Sequence, residues 1–97
     1  MKSTEDIIRI LQNCKPEMQA KYGVTRLGLF GSVARGEQHD GSDIDVCIEG
    51  GSMTLIIIAE MEIELERLLE SPVQVTVIHD GLSDALMNNI NREVIWI

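Results

Sequence analysis

Three short runs of aliphatic and β-branched residues, set among stretches of helical period, limit how this chain can fold. "VTRLGLF" (24–30), "DIDVCIE" (43–49) and "VQVTVI" (73–78) have the composition and bounding turn residues of strands. Ser3 followed by Asp6 resembles a helix-opening capping box, and Ile7, Leu11, Cys14 and Met18 then share one helical face. A first helix is predicted from Thr4 to Lys21, with a kink or break near Cys14 and Lys15 because Pro16 removes an amide donor. Gly50-Gly51-Ser52 closes the second strand, and Met53 to Glu70 reads as a long helix with Ile57, Ile58, Met61, Leu65, Leu68 and Leu69 as its core stripe. Ser71-Pro72 stops that helix, and Ser83 can cap a last one through Arg92, with Leu82 as its hydrophobic staple. The order helix, strand, turn, strand, helix, strand, helix predicts an α/β (α+β) fold, a small sheet of about three strands covered mainly by helices. No repeat or linker interrupts it, so residues 1–97 are expected to form one domain. The apolar tail "EVIWI" must fold back on this unit or meet another chain.

Charge narrows the function. Sixteen acidic against eight basic residues repel nucleic-acid backbones and anionic membranes, and favour a basic macromolecular partner. The aromatic residues are Tyr22, Phe30 and Trp96, and no Lys or Arg cluster accompanies them, so direct nucleic-acid binding is not expected. Cys14 and Cys47 lie in no metal or disulfide pattern and are read as buried free thiols. Acids near the N-terminus exclude a signal peptide, and the longest apolar run, Leu55 to Ala59, cannot span a bilayer, so a cytoplasmic protein is expected. On the long helix, Ile56, Ala59 and Ile63 form a second apolar face. It is either an interface, for a partner or a second copy of the chain, or an ordinary broad buried face.

The segment "FGSVARGEQHDGSDIDV" (30–46) carries the chemistry. Alternate residues of a strand share a face about 6.6 Å apart, so Asp43 and Asp45 project together. Two such carboxylates can share divalent ions about 3.5–4 Å apart, the arrangement that clamps attacking and leaving oxygens in phosphoryl or nucleotidyl transfer. Mg²⁺, a hard cation bound through carboxylates and substrate phosphates, suits them. Gly31-Ser32 follows directly on a strand and can open a short helix from Val33, aiming amides and a hydroxyl at a phosphate. Arg35 adds a charge-assisted contact, and Ser42 completes the expected phosphate-binding group.

"GSVARGEQHDGSDIDV" resembles the signature of the DNA polymerase beta-type nucleotidyltransferase superfamily, and the chain's size resembles its minimal nucleotidyltransferase (MNT) branch. The resemblance covers nearly the whole chain. It implies that Gly31 and Ser32 hold the β and γ phosphates of ATP or another nucleoside triphosphate, and that Asp43 and Asp45 hold two Mg²⁺ ions. Minimal members resemble antitoxins that pair with a HEPN-domain protein encoded beside them, and some transfer AMP from ATP onto a tyrosine of that partner.

One departure stands out. The family places a third acid on the next strand, and the matching position here is Gln74. A neutral amide neither accepts a proton at useful pH nor matches a carboxylate as a metal ligand, so the second ion loses a ligand, and nucleotide binding is expected to survive where transfer is slow or absent. Glu49 shares the parity of the two aspartates but lies about 13 Å beyond Asp45 along the strand. His79, Asp80 and Thr76 are not placed to replace the acid, and His39 and His79 read as solvent-facing loop residues. Two functions follow: a Mg²⁺-dependent enzyme that adenylylates a HEPN-type partner, or a degenerate member that neutralises the partner by contact.

Overall fold

The computed structural model describes residues 2–97. Its elements run α1 (Thr4–Tyr22), β1 (Val24–Phe30), α2 (Gly31–Ala34), β2 (Ile44–Gly50), α3 (Leu55–Leu69), β3 (Val73–Val77), α4 (Asp84–Glu93) and β4 (Ile95–Trp96). Ser3 Oγ accepts from the Asp6 amide at 3.1 Å, and Ile7, Leu11, Cys14 and Met18 are buried on the inner face of α1. The expected break at Pro16 does not occur, because α1 continues through it to Tyr22. A proline inside a helix costs about 3 kcal/mol, whereas burying each large apolar side chain contributes about 1.5–3 kcal/mol. Leu11 and Cys14 before Pro16 and Met18 after it share one core, and their burial outweighs the lost hydrogen bond.

The sheet has the order β3-β2-β1-β4. β1 and β2 are antiparallel, with Leu29 opposite Val46 and Phe30 opposite Asp45. β2 and β3 are parallel, with Asp45 opposite Gln74, and parallel neighbours need a long crossover, which α3 supplies. The sheet has four strands rather than about three, because the tail returns as β4 and pairs with β1 at Gly28↔Trp96 and Leu29↔Ile95. Gly28 makes room for it, since a Cβ there would stand 2.6 Å from Val94 Cγ2 and 2.8 Å from Cys47 Sγ. Ile97 N donates to Leu27 O at 2.8 Å, and Lys15 Nζ donates to Ile97 O at 2.7 Å. Arg26 lies over the Trp96 ring, 3.6 Å from its centroid.

Alternation along β2 divides the interior. Ile44, Val46 and Ile48 face α1 and α3 in the main core, while Cys47 joins Phe30 and Ile90 in a smaller cluster under α4. Leu82, Leu86 and Met87 pack on that second cluster, and Ser83 Oγ accepts from the Leu86 amide at 3.3 Å, as the capping pattern predicts. Both cysteines are buried and free, and burial pushes the Cys47 thiol up to about 11. In α3, Met61, Leu65 and Leu69 are buried, and Ile57, Ile58 and Leu68 pack partly on the same core. Ile56, Ala59 and Ile63 are exposed, and so is Leu55, which the sequence reading did not include in that face. The acidic side of α3 also guards the sheet: Glu66 and Glu62 accept from the Val73 and Val75 amides at 3.0 and 2.9 Å. Those amides point outward from an edge strand and would otherwise be open to pairing with another chain.

Candidate functional site

β1 delivers the chain to Gly31, where φ is 76° and α2 begins. A side chain here would be strained by the left-handed backbone, and its Cβ would collide with an Asp45 carboxylate oxygen. Glycine therefore lets the turn lie against the second aspartate, across the Phe30–Asp45 pair of the ladder. Ser32 follows on α2, Arg35 caps it, and the Glu37 amide donates to Ser32 O at 2.8 Å. Ser42 is buried, and its hydroxyl accepts from the His39 amide at 3.0 Å while its own amide donates to His39 O at 2.9 Å. It shapes the turn that leads into Asp43.

Asp43 is exposed immediately before β2, and Asp45 is half-buried one residue inside it. Burial holds the Asp45 carboxyl above its ordinary range, and the negative charges of Asp43 and Glu93 push it further, with Arg35 opposing. Gln74 is the ladder partner of Asp45 on β3, exposed between buried Val73 and Val75. Parallel neighbours in register project to the same face, so Gln74 stands beside Asp45 where a third acid would complete a cluster. Among the described residues no group of three or more His, Cys, Asp or Glu side chains stands together as a metal site. Glu49 is taken by Arg26 at 3.1 Å, farther along β2. His39 and His79 are exposed in loops; His39 Nδ1 lies 2.9 Å from Asp40 O and His79 Nδ1 3.0 Å from the Gly81 amide.

Sequence reasoning missed Glu93. One of its oxygens accepts from the Gly31 amide at 3.1 Å, and the other pairs with Arg35 Nη1 at 2.6 Å. A signal was present: Leu86 and Ile90 define the inner face of α4, and Glu93 is the next position on it, an acid continuing an apolar stripe.

A mixed sheet that packs a glycine turn against the carboxylate of a strand aspartate, with a second aspartate just before that strand, is the framework of a nucleotide-transferring domain. The nucleotidyltransferase domain family model matches residues 11–96, and the chain belongs to that family, in its minimal nucleotidyltransferase branch. Over 98 aligned residues it is 33% identical to the protein adenylyltransferase MntA of Thermococcus cleftensis, covering 100% of this chain and 98% of that one. A candidate minimal nucleotidyltransferase of known structure superposes with a TM-score of 0.78 at 32% identity, covering 97% of this chain and 95% of that one. The fold is also that of a chain in a toxin–antitoxin crystal structure with AMP-PNP, with a TM-score of 0.72 at 23% identity and coverage of 98% and 72%.

Proposed function

We propose that this chain binds ATP with Mg²⁺ and transfers AMP to a protein partner, as the antitoxin of a toxin–antitoxin pair whose other member is a HEPN-type protein. Gly31, Ser32 and Arg35 receive the phosphates, Ser42 holds the loop beside them, and Asp43 and Asp45 face the reacting centre. The observation that carries this reading is the packing of Gly31 directly on Asp45, which sets the Gly-Ser turn beside a carboxylate and so supports a site for phosphate and metal. The full-length likeness to an adenylyltransferase supports the reaction class. The fold shared with a toxin–antitoxin chain supports the biological setting.

Mg²⁺ fits these donors, because Asp43 and Asp45 add to each other's negative charge and a hard cation relieves it. When bound there it neutralises phosphate charge and orients the triphosphate. In the reaction the acceptor hydroxyl oxygen bonds to the α-phosphorus, the bond from that phosphorus to the β-phosphate oxygen breaks, and pyrophosphate leaves. The hydroxyl proton must pass to a base or to water, and the Gln74 amide cannot take it. Slow transfer is the consequence. Gln74 also favours a second reading, neutralisation by contact, for which exposed Leu55, Ile56, Ala59 and Ile63 offer an apolar surface to a partner or a second copy.

The test is incubation with α-labelled ATP, Mg²⁺ and the protein encoded beside this one. Label should appear on the partner with the wild type and vanish with Asp43→Ala plus Asp45→Ala. If the wild type transfers nothing while an active family member labels its own partner, transfer is wrong and contact remains. Gln74→Asp should raise the labelling rate by at least about tenfold, a conservative share of what a positioned base contributes. An unchanged rate would clear Gln74 of blame.

A further inference from the structure

We propose that Glu93 is a built-in occupant of the phosphate subsite, holding the groups a triphosphate must take, so that nucleotide binds only when this side chain withdraws. The inference rests on the nucleotide-site reading above and extends it to regulation.

The geometry is that of a phosphate surrogate. Two oxygens on one centre are shared between a backbone amide at 3.1 Å and a guanidinium nitrogen at 2.6 Å. Backbone N–H and arginine are also the donors that recognise phosphate oxygens. Arg35 is satisfied on its other side as well, with Nε 3.3 Å from Glu37 Oε1, so two carboxylates hold the charge offered to phosphate. Glu93 is the more sheltered partner, its side chain 19% exposed against 42% for Arg35.

This placement is costly for a residue with no role. Glu93 brings a third negative charge toward Asp45, where Asp43 already opposes ionisation. The anchoring is specific too. Glu93 ends α4, the Val94 amide closes that helix on Ile90 O at 2.9 Å, and the next two residues pair with β1 as β4. The carboxylate is thus delivered to Gly31 by the strand that brings the tail home. Both contacts to the site are made by the side chain, so Glu93 can leave without unpairing β4.

The test is calorimetric titration of the full chain with ATP and, separately, with inorganic tripolyphosphate, both with Mg²⁺, using wild type, Glu93→Ala and Glu93→Gln. Glu93→Ala should tighten both ligands about tenfold, the scale of one displaced charge-assisted contact. Glu93→Gln keeps an acceptor for the Gly31 amide but loses the charge facing Arg35, so it should tighten them by less. It also decides the matter should Glu93→Ala fail to fold. Binding by the wild type that is unchanged or weaker in the folded variants would overturn the occupant role and make Glu93 a support for Arg35. If neither wild type nor variants bind either ligand, the nucleotide-site reading itself falls, and this inference with it.

Discussion

The two faces of the sheet are finished differently. One is covered by α1 and α3, with Ile44, Val46 and Ile48 of β2 buried against Leu11, Met61, Leu65 and Leu69. The other is covered by α4 over Phe30 and Cys47, and toward the start of β2 it gives way to Asp43, Asp45 and Gln74. The same strand therefore contributes an apolar row to one side and a polar row to the other, a direct result of its two-residue period. Stability is concentrated on the first face. The second trades burial for charge, and its Asp45 carries a carboxyl that the fold itself makes harder to ionise.

Substitutions can separate the two faces. The largest effect belongs to the covered face: Leu65→Ala, at a position 1% exposed, should cost about 2–5 kcal/mol in denaturant unfolding. Nucleotide affinity of the folded fraction should not change, and a matching loss of affinity would show that the faces are coupled. Gly31→Ala comes next, at about 1–3 kcal/mol from the left-handed backbone, with relief of the clash requiring Asp45 to move. Here triphosphate binding should be lost well before the fold is, reversing the pattern of Leu65→Ala. Retained affinity would detach Gly31 from the site.

The smallest effect has the opposite sign. Because the native-state carboxyl of Asp45 lies above its unfolded value, its contribution to stability is present at acid pH and lost as pH rises through the native value. At neutral pH Asp45→Asn should therefore stabilise the ligand-free protein by about 0.5 kcal/mol after solvent screening, or about 2–4 °C in Tm. Added Mg²⁺ should raise the Tm of the wild type and not that of the variant. A variant less stable than the wild type at pH 7 would show that the aspartate is better satisfied than its neighbours imply.

The features legible in the sequence and those hidden from it differ in kind. Gly31, Ser32, Arg35, Asp43 and Asp45 lie within one continuous segment, and their residue types and spacing carry their own chemistry. The helix caps at Ser3 and Ser83 were equally legible, because a cap is satisfied within three residues of itself. The uninterrupted α1 was not, since the propensity of Pro16 is local while the packing that overrides it comes from elsewhere in the chain. The edge-guarding by Glu62 and Glu66 was hidden for the same reason: a helical glutamate shows no partner in the sequence until a strand edge is placed beside it.

The tail marks the boundary most sharply. Periodicity, caps and turn residues were enough for seven of the elements and to mark one segment as the candidate site, because each depends on neighbours in sequence. Three things depended on the folded chain: the fourth strand, the pairing of Asp45 with Gln74 across 29 positions, and the arrival of Glu93 at Gly31. Strand pairing and side-chain contact are set by burial and hydrogen bonding between distant segments, and no local pattern encodes which distant residue a glycine amide will meet.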